Sequence, residues 1–263
     1  MSKVGIGITT FNRPDYAEKC VKSIAKHCSG LDALYMHDDC SDPKFTGAYR
    51  RVHKVLEANG GVLLTAKENA GVAAAKNRLI EHLIAEGCDW IILCEDDIKP
   101  LSAEAVTEYV RICEDNSLHS LSFAHHGPAN YGVPLSDSDI TYFPHSVGAW
   151  CIYSKECLIN AGLFDTFFLN AWEHVEHTIR LMQAGYMPDY TVHNFPDATH
   201  SEKWLAEIPG SIDKSSIRPR SDWSRNIHNG LRYWKDNKRD SYDLLFAPGM
   251  PLYNYSCNIL GEP

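Results

Sequence analysis

At 263 residues, with 44% hydrophobic and 22% charged side chains, the chain has the composition of a globular protein able to bury a core of its own. A net charge of −9 argues against broad affinity for nucleic acid or anionic membrane, and no run of 18 or more apolar residues is present to span a bilayer. Nine cysteines lie scattered without Cys-x-x-Cys spacing, and residues 1–6 enter a strand pattern with no signal-peptide character. These features together point to reduced, buried thiols and a cytoplasmic location, not a disulfide frame or a zinc site.

Val4 to Thr10 reads as a first strand, broken by Phe11-Asn12-Arg13-Pro14-Asp15, where Asn12 or Asp15 can cap a helix running to about Cys28. Leu31 to His37 is a second strand, closed by Asp38-Asp39. A helix over about Phe45 to Ala58 follows, then a short strand from Val62 to Ala66 and a helix from the Asn69-Ala70-Gly71 turn to about Glu86. The fourth strand lies in the stretch Asp89 to Ile98, where a continuous apolar run, Trp90 to Cys94, leads straight into Glu95-Asp96-Asp97. This repeated β-α-β alternation predicts a doubly wound, mostly parallel sheet of Rossmann-like type.

After Pro100 a helix (Ala103 to Glu114) leads to a fifth strand at Ser120 to Ala124, and there the alternation stops. His125 to Asp139 reads as a loop or hairpin, Tyr142 to Tyr153 as a strand pair, and Lys155 to Ala161 as a short helix. Asn170 to Tyr186 is a helix stopped by Gly185, with Trp172, Val175, Ile179 and Met182 on one face and Glu173, Glu176, His177 and Arg180 on an opposite, polar face. An amphipathic stretch, Trp223 to Lys238, precedes a tail of about twenty residues expected to wrap the body. No linker divides the chain, so one domain is expected: residues 1–100 as a ligand-binding half, 101–200 as a second half, and 201–263 as a C-terminal helix and tail.

Three consecutive acids at the carboxyl end of a parallel strand lie where open α/β sheets place their ligands. They repel one another unless something screens them, either a hard divalent cation or the water around an acidic turn. Four motifs stand in order: Thr9-Thr10-Phe11-Asn12-Arg13, Asp38-Asp39, Glu68-Asn69-Ala70-Gly71 with Ala75-Lys76-Asn77, and Glu95-Asp96-Asp97. With Trp172-Glu173-His174, Arg180 and Gly185-Tyr186, this set resembles the family 2 glycosyltransferases of the GT-A fold over roughly residues 3 to 190.

The resemblance implies a nucleotide-sugar donor, most often UDP-linked, an acceptor hydroxyl, and a Mn²⁺ or Mg²⁺ ion that stabilises the leaving diphosphate. Asp97 matches the family's metal ligand and Asp96 the residue on ribose or a metal-bound water. Asp39 matches the acid that accepts the uracil N3–H, with Asp38 as a turn cap. Thr9, Thr10, Phe11 and Arg13 match the loop over uracil and ribose, and Lys76 is placed to meet a phosphate at a helix N-terminus. Trp172, Glu173 and His177 fall in the acceptor-side motif. In many inverting members the residue after the Glu is an Asp that serves as general base; here it is His174, with Glu173 as the rival base.

His200 or His193 would supply a late metal ligand, and His174 with His177 is another route to the metal. His125, His126 and Trp150 are softer acceptor-side candidates. Arg218 and Arg220, near Ser215-Ser216, could cover the phosphates. The acceptor is expected to be a saccharide. A modified nucleic-acid base is the alternative, kept open by the basic run Arg218, Arg220, Arg225, Arg232, Lys235, Lys238 and Arg239. A non-catalytic nucleotide-sugar-binding protein is the third reading, supported by the missing Asp.

Overall fold

The computed structural model describes residues 2–28, 30–125, 133–134 (backbone), 138–188, 195–211, 213–217, 222–250 and 252–261. In chain order the elements are β1 (Val4–Thr10), α1 (Pro14–His27), β2 (Ala33–Asp38), α2 (Thr46–Ala58), β3 (Val62–Thr65), α3 (Val72–Ala85), β4 (Trp90–Glu95) and β5 (Ile98–Pro100). They continue with α4 (Glu104–Asp115), β6 (Ser120–Ser122), β7 (Val133–Pro134), β8 (Ile140–Phe143), β9 (Trp150–Ser154), α5 (Lys155–Asn160) and α6 (Glu173–Gln183). Last come β10 (Phe195–Ala198), β11 (Leu205–Glu207), α7 (Trp223–Asn237), α8 (Arg239–Phe246) and α9 (Tyr253–Leu260).

A six-stranded sheet in the order β3-β2-β1-β4-β9-β6 organises the molecule. β1 to β4 are parallel, and β9 runs antiparallel between β4 and β6. The expected mostly parallel α/β sheet is therefore present. The chain reverses direction about β1, where β2 and β4 flank it, so the carboxyl ends of β1, β2 and β4 open onto one crevice.

The central strands are apolar because both faces are covered. One face packs α1, α2 and α4 through Ile6, Ile8, Val21, Ile24, Val52 and Tyr109. The other packs α3, α6 and the C-terminal helices through Leu79, Leu83, Ile91, Ile179, Trp234 and Phe246. Gly5 and Gly7 let α3 sit close on β1: a Cβ at Gly7 would lie 2.8 Å from that of Leu79.

Several expectations need correction. α1 has Arg13 at its N-cap position without a side-chain cap; Asn12 instead bridges to the 41–42 turn, donating its backbone N–H to Ser41 and accepting from the Asp42 N–H. Residues 142–153 hold two strands that do not pair with each other: β8 joins β7 and β10, while β9 enters the main sheet. The tail is substantially helical, as α8 and α9.

The polar face foreseen for α6 is not solvated: Glu173, Glu176 and His177 are all buried. Charges on that face meet partners far away in sequence, which periodicity cannot register. The reduced-thiol reading holds, since all nine cysteines are free and seven of them are buried. Among the described residues no helix is long and apolar enough to cross a membrane.

Candidate active site

A cleft of about 490 Å³ opens at the carboxyl ends of β1, β2 and β4. Its floor is Thr9, Thr10, Phe11, Arg13, Asp39 and Glu95-Asp96-Asp97; its far wall is Ser146 to Ala149, Leu169 to Ala171, Glu173 and His174. A larger concavity of about 620 Å³ lies around Asp89, Glu114 and Lys155, at the opposite end of β4, away from these acids.

The strand-end wall is built around charge. Asp96 is 3% exposed; its Oδ2 accepts from the Thr10 hydroxyl at 2.7 Å, and its Oδ1 lies 3.2 Å from Arg13 Nη1. Burial pushes its carboxyl up to about 8, against the pull of Arg13. Asp97 Oδ2 accepts from the same Arg13 nitrogen at 3.1 Å. Asp97 Oδ1 and Arg13 Nε are buried with no hydrogen-bond partner among the described residues. Thr10, which also bonds the Tyr49 hydroxyl at 2.7 Å, is thus committed to holding Asp96.

Asp38 closes its turn by accepting from the Ser41 N–H and hydroxyl, at 3.0 and 2.6 Å. Asp39 accepts from the backbone N–H groups of Ala70 and Gly71, at 3.0 and 2.9 Å, while facing the cleft. Gly71, at φ +88°, lets the Leu169 carbonyl pass where a Cβ would come within 2.4 Å; that carbonyl accepts from Val72 N–H. The backbone N–H groups of Ala70, Gly71 and Val72 are therefore taken by protein acceptors.

Lys76 departs furthest from its expected role. It is fully buried, one turn into α3, and donates to Glu173 Oε1 at 3.0 Å and to the Gly148 carbonyl at 3.3 Å, with Glu95 Oε1 at 3.7 Å. It does not line the cleft. Burial opposes charge on both partners, yet Lys76 and, next, His174 hold the Glu173 carboxyl well below the usual carboxylate range. His174 Nδ1 lies 3.2 Å from Glu173 Oε1, which aims the opposite ring nitrogen away from the carboxylate. The imidazole lies against Gly148, where a Cβ would come within 2.8 Å of its Cγ.

Other candidates lie elsewhere. His177 is buried in α6, donating from Nε2 to the Gly162 carbonyl at 3.0 Å and stacking on Phe164 at 4.3 Å, and it does not line the cleft. Trp172, left-handed at φ 75°, turns away: its indole N–H donates to the Ile227 carbonyl, and its ring packs against Trp234, Phe246 and Tyr255. Trp150 is wholly buried in the core. His200 is exposed beside Glu202, which also meets His125, and neither histidine lines the cleft. His126, His193, Arg218 and Arg220 lie outside the described residues.

The sequence reading did not foresee how the chain returns over the acids. β11 pairs with β5, the strand directly after Asp97, and Ile208 N–H donates to the Asp97 carbonyl at 2.6 Å. Ser211, Ser215, Ser216, Ile217 and Asp222 thereby line the cleft, and Arg13 Nη2 reaches the Ser211 carbonyl at 3.4 Å. A three-residue strand such as Ile98-Lys99-Pro100 carries too little pattern to reveal this. On the far wall, Ser146 Oγ and Asn170 Oδ1 are buried without partners among the described residues.

Whether these groups suit a divalent cation follows from their chemistry. Among the described residues, Asp39, Glu95, Asp96, Asp97, Glu173 and Asp222 line the cleft against one guanidinium, that of Arg13. Asp97 Oδ1, an unpartnered hard oxygen, suits Mn²⁺ or Mg²⁺. Among the described residues no three His, Cys, Asp or Glu side chains converge on a metal position. A cation would thus take one or two carboxylates from the protein and further oxygens from its ligand, as Mg²⁺ does with substrate phosphates.

Comparison with known proteins agrees with this architecture. Residues 6–116 match the model of the glycosyl transferase family 2. No curated protein matches the chain by sequence. Among solved structures, mannosyltransferase PcManGT from Pyrobaculum calidifontis, in complex with GDP-Man and Mn²⁺, is similar at 14% identity with a TM-score of 0.61, over 93% of this chain and 70% of that one. GalNAc-T7 with UDP, GalNAc and Mn²⁺ has 12% identity and a TM-score of 0.62, over 97% of this chain and 53% of that one. S. aureus TarS 1-349 in complex with UDP-GlcNAc has 14% identity and a TM-score of 0.57, over 98% and 80%.

Proposed function

We propose that this chain, which has the GT-A fold and matches the glycosyl transferase family 2 model over residues 6–116, moves a sugar from a UDP-sugar to an acceptor hydroxyl, probed first on saccharides, with inversion at the anomeric carbon. The observation that carries this reading is the pairing, across one cleft, of the strand-end acids with the Glu173–His174 couple.

His174 takes the base role in preference to Glu173. A carboxylate locked to a buried lysine is a poor proton acceptor, whereas an imidazole accepts a proton near neutral pH. With Nδ1–H held by Glu173, the other ring nitrogen, Nε2, takes the proton of the acceptor hydroxyl. That oxygen attacks the anomeric carbon as its bond to the diphosphate breaks, and the electron pair leaves on the diphosphate. Glu173 fixes the tautomer and compensates the imidazolium as it forms, as carboxylates do for histidine bases elsewhere. A divalent cation on Asp97 and Asp96 would stabilise the charge gathering on the leaving group. Asp39, on the cleft floor, is the acid assigned to a base-edge N–H, as uracil presents, and Ser146 and Asn170 offer partners to sugar hydroxyls.

The nucleic-acid alternative loses support from the basic run itself, because Lys238 is paired with Asp165 and Glu176, and Arg239 with Asp243. Thermal-shift screening of nucleotide sugars with and without Mn²⁺ tests the proposal, since a ligand bound only by the folded state raises the Tm. A Mn²⁺-dependent rise with a UDP-sugar, and turnover lost in Asp97→Asn, is the expected result. Undiminished turnover in Asp97→Asn would overturn the metal assignment. Tight UDP–Mn²⁺ binding without turnover on any donor would favour a non-catalytic binding protein. Retained configuration in the product, read by proton NMR, would exclude the one-step role of His174.

A further inference from the structure

Arg13 sits where a cation would be drawn. Its Nη1 bridges Asp96 Oδ1 at 3.2 Å and Asp97 Oδ2 at 3.1 Å, and the side chain is largely buried, its guanidinium 4.6 Å from the Tyr16 ring centre. Two partner atoms are left over within this cluster, Arg13 Nε and Asp97 Oδ1. A guanidinium already lies on this pair, and a divalent ion approaching the same oxygens would meet a like charge at close range in a poorly solvated place. A diphosphate offers that guanidinium a better partner, because its planar fork of donors matches phosphate oxygens two at a time.

We propose that Arg13 is an exchangeable counter-ion: it holds the Asp96–Asp97 pair until a nucleoside diphosphate arrives, then passes to the phosphate and releases the carboxylates to the divalent cation. The inference rests on the nucleotide-sugar reading above. Cation and nucleotide then bind with mutual enhancement, part of which is the charge moved by Arg13 and part the direct cation–phosphate contact. This arrangement also keeps the buried acids compensated in the free protein, where two bare carboxylates would destabilise it.

The test is a Mn²⁺ titration followed by electron paramagnetic resonance of the free ion, with and without UDP, on the wild type, Arg13→Gln and Arg13→Lys. The expected result is that Arg13→Gln binds Mn²⁺ alone about tenfold more tightly than the wild type, while the gain in Mn²⁺ affinity on adding UDP shrinks by about the same factor. Arg13→Lys keeps the charge and binds Mn²⁺ alone as weakly as the wild type. Unchanged or weaker Mn²⁺ binding by Arg13→Gln, alongside UDP-dependent binding in the wild type, overturns the counter-ion role and leaves the nucleotide-sugar reading standing. Tighter Mn²⁺ binding in Arg13→Lys equal to that in Arg13→Gln also overturns it. If no protein binds Mn²⁺ even with UDP, the underlying reading falls with it.

Discussion

The two walls of the cleft both carry buried charge and treat it in opposite ways. On the strand-end wall, one arginine serves two aspartates and leaves Asp97 Oδ1 and Arg13 Nε without partners among the described residues. On the α6 wall, Lys76, Glu173 and His174 form a connected set, supported by the Gly148 carbonyl and by Glu95. Incomplete satisfaction of buried polar atoms costs free energy and is found where a ligand completes the set. The connected Lys76–Glu173–His174 set fixes geometry, while Ser146 Oγ and Asn170 Oδ1 on the same wall are without partners among the described residues. The first wall is therefore fitted to receive charge, and the second to hold one imidazole in one orientation.

Removing the imidazole should break the second wall most. His174→Ala is expected to lower kcat by about 10²- to 10⁴-fold, the usual range for a general base. The UDP–Mn²⁺ thermal shift should persist, because the groups proposed to hold the nucleotide lie on the other wall. Steady-state kinetics beside thermal shifts would check this; loss of the shift together with activity would show that the walls are not separable.

Glu173→Gln tests whether the second wall is structural as well as chemical. Among the described residues, it leaves Lys76 buried with only Glu95, at 3.7 Å, as an ion-pair partner. Breaking one side of a buried pair typically costs about 3 to 5 kcal/mol. Denaturant unfolding of the variant should show a loss of that size, whereas an exposed pair such as Lys22–Glu18 should give less than about 1 kcal/mol on the same measurement. A loss under about 1 kcal/mol for Glu173→Gln would mean that water reaches Lys76 and that the pair does not stiffen the wall.

This contrast also explains what could be read before the structure. The strand-end wall was legible because each of its acids follows a strand whose apolar run announces itself, and because β1, β2 and β4 are neighbours in a parallel sheet. Even the division between Asp38 and Asp39 could be anticipated, since one of two adjacent acids has to close the turn. The α6 wall was not legible. Lys76 and Glu173 are 97 residues apart, and the helical period places Glu173 on a face that looks solvated. Burial of that face depends on α8, whose Lys238-capped start reaches Glu176 and Asp165, and on the aromatic docking of Trp172 against Trp234 and Phe246. The β5–β11 pairing was hidden for a different reason: three residues of strand carry no usable periodicity.

His177 gives the smallest effect and the most discriminating one, because it asks whether the burial of α6 seen here persists in solution. Burial first, and Arg180 next, depress its imidazole to about 3, against an ordinary value of 6.5. The unfolded chain therefore binds a proton that the folded chain refuses between those limits, so the folded state loses stability as pH falls from about 6.5 toward 3. For a single group this amounts to about 2 kcal/mol between pH 7.5 and pH 5. Other groups titrate in the same interval, so the informative quantity is the difference between wild type and His177→Gln. The glutamine can still donate to the Gly162 carbonyl but takes up no proton. Urea midpoints at the two pH values should fall further in the wild type than in the variant by the equivalent of that 2 kcal/mol. Parallel falls would mean that His177 reaches solvent, and an α6 that opens this readily could not keep Glu173 dry beside Lys76.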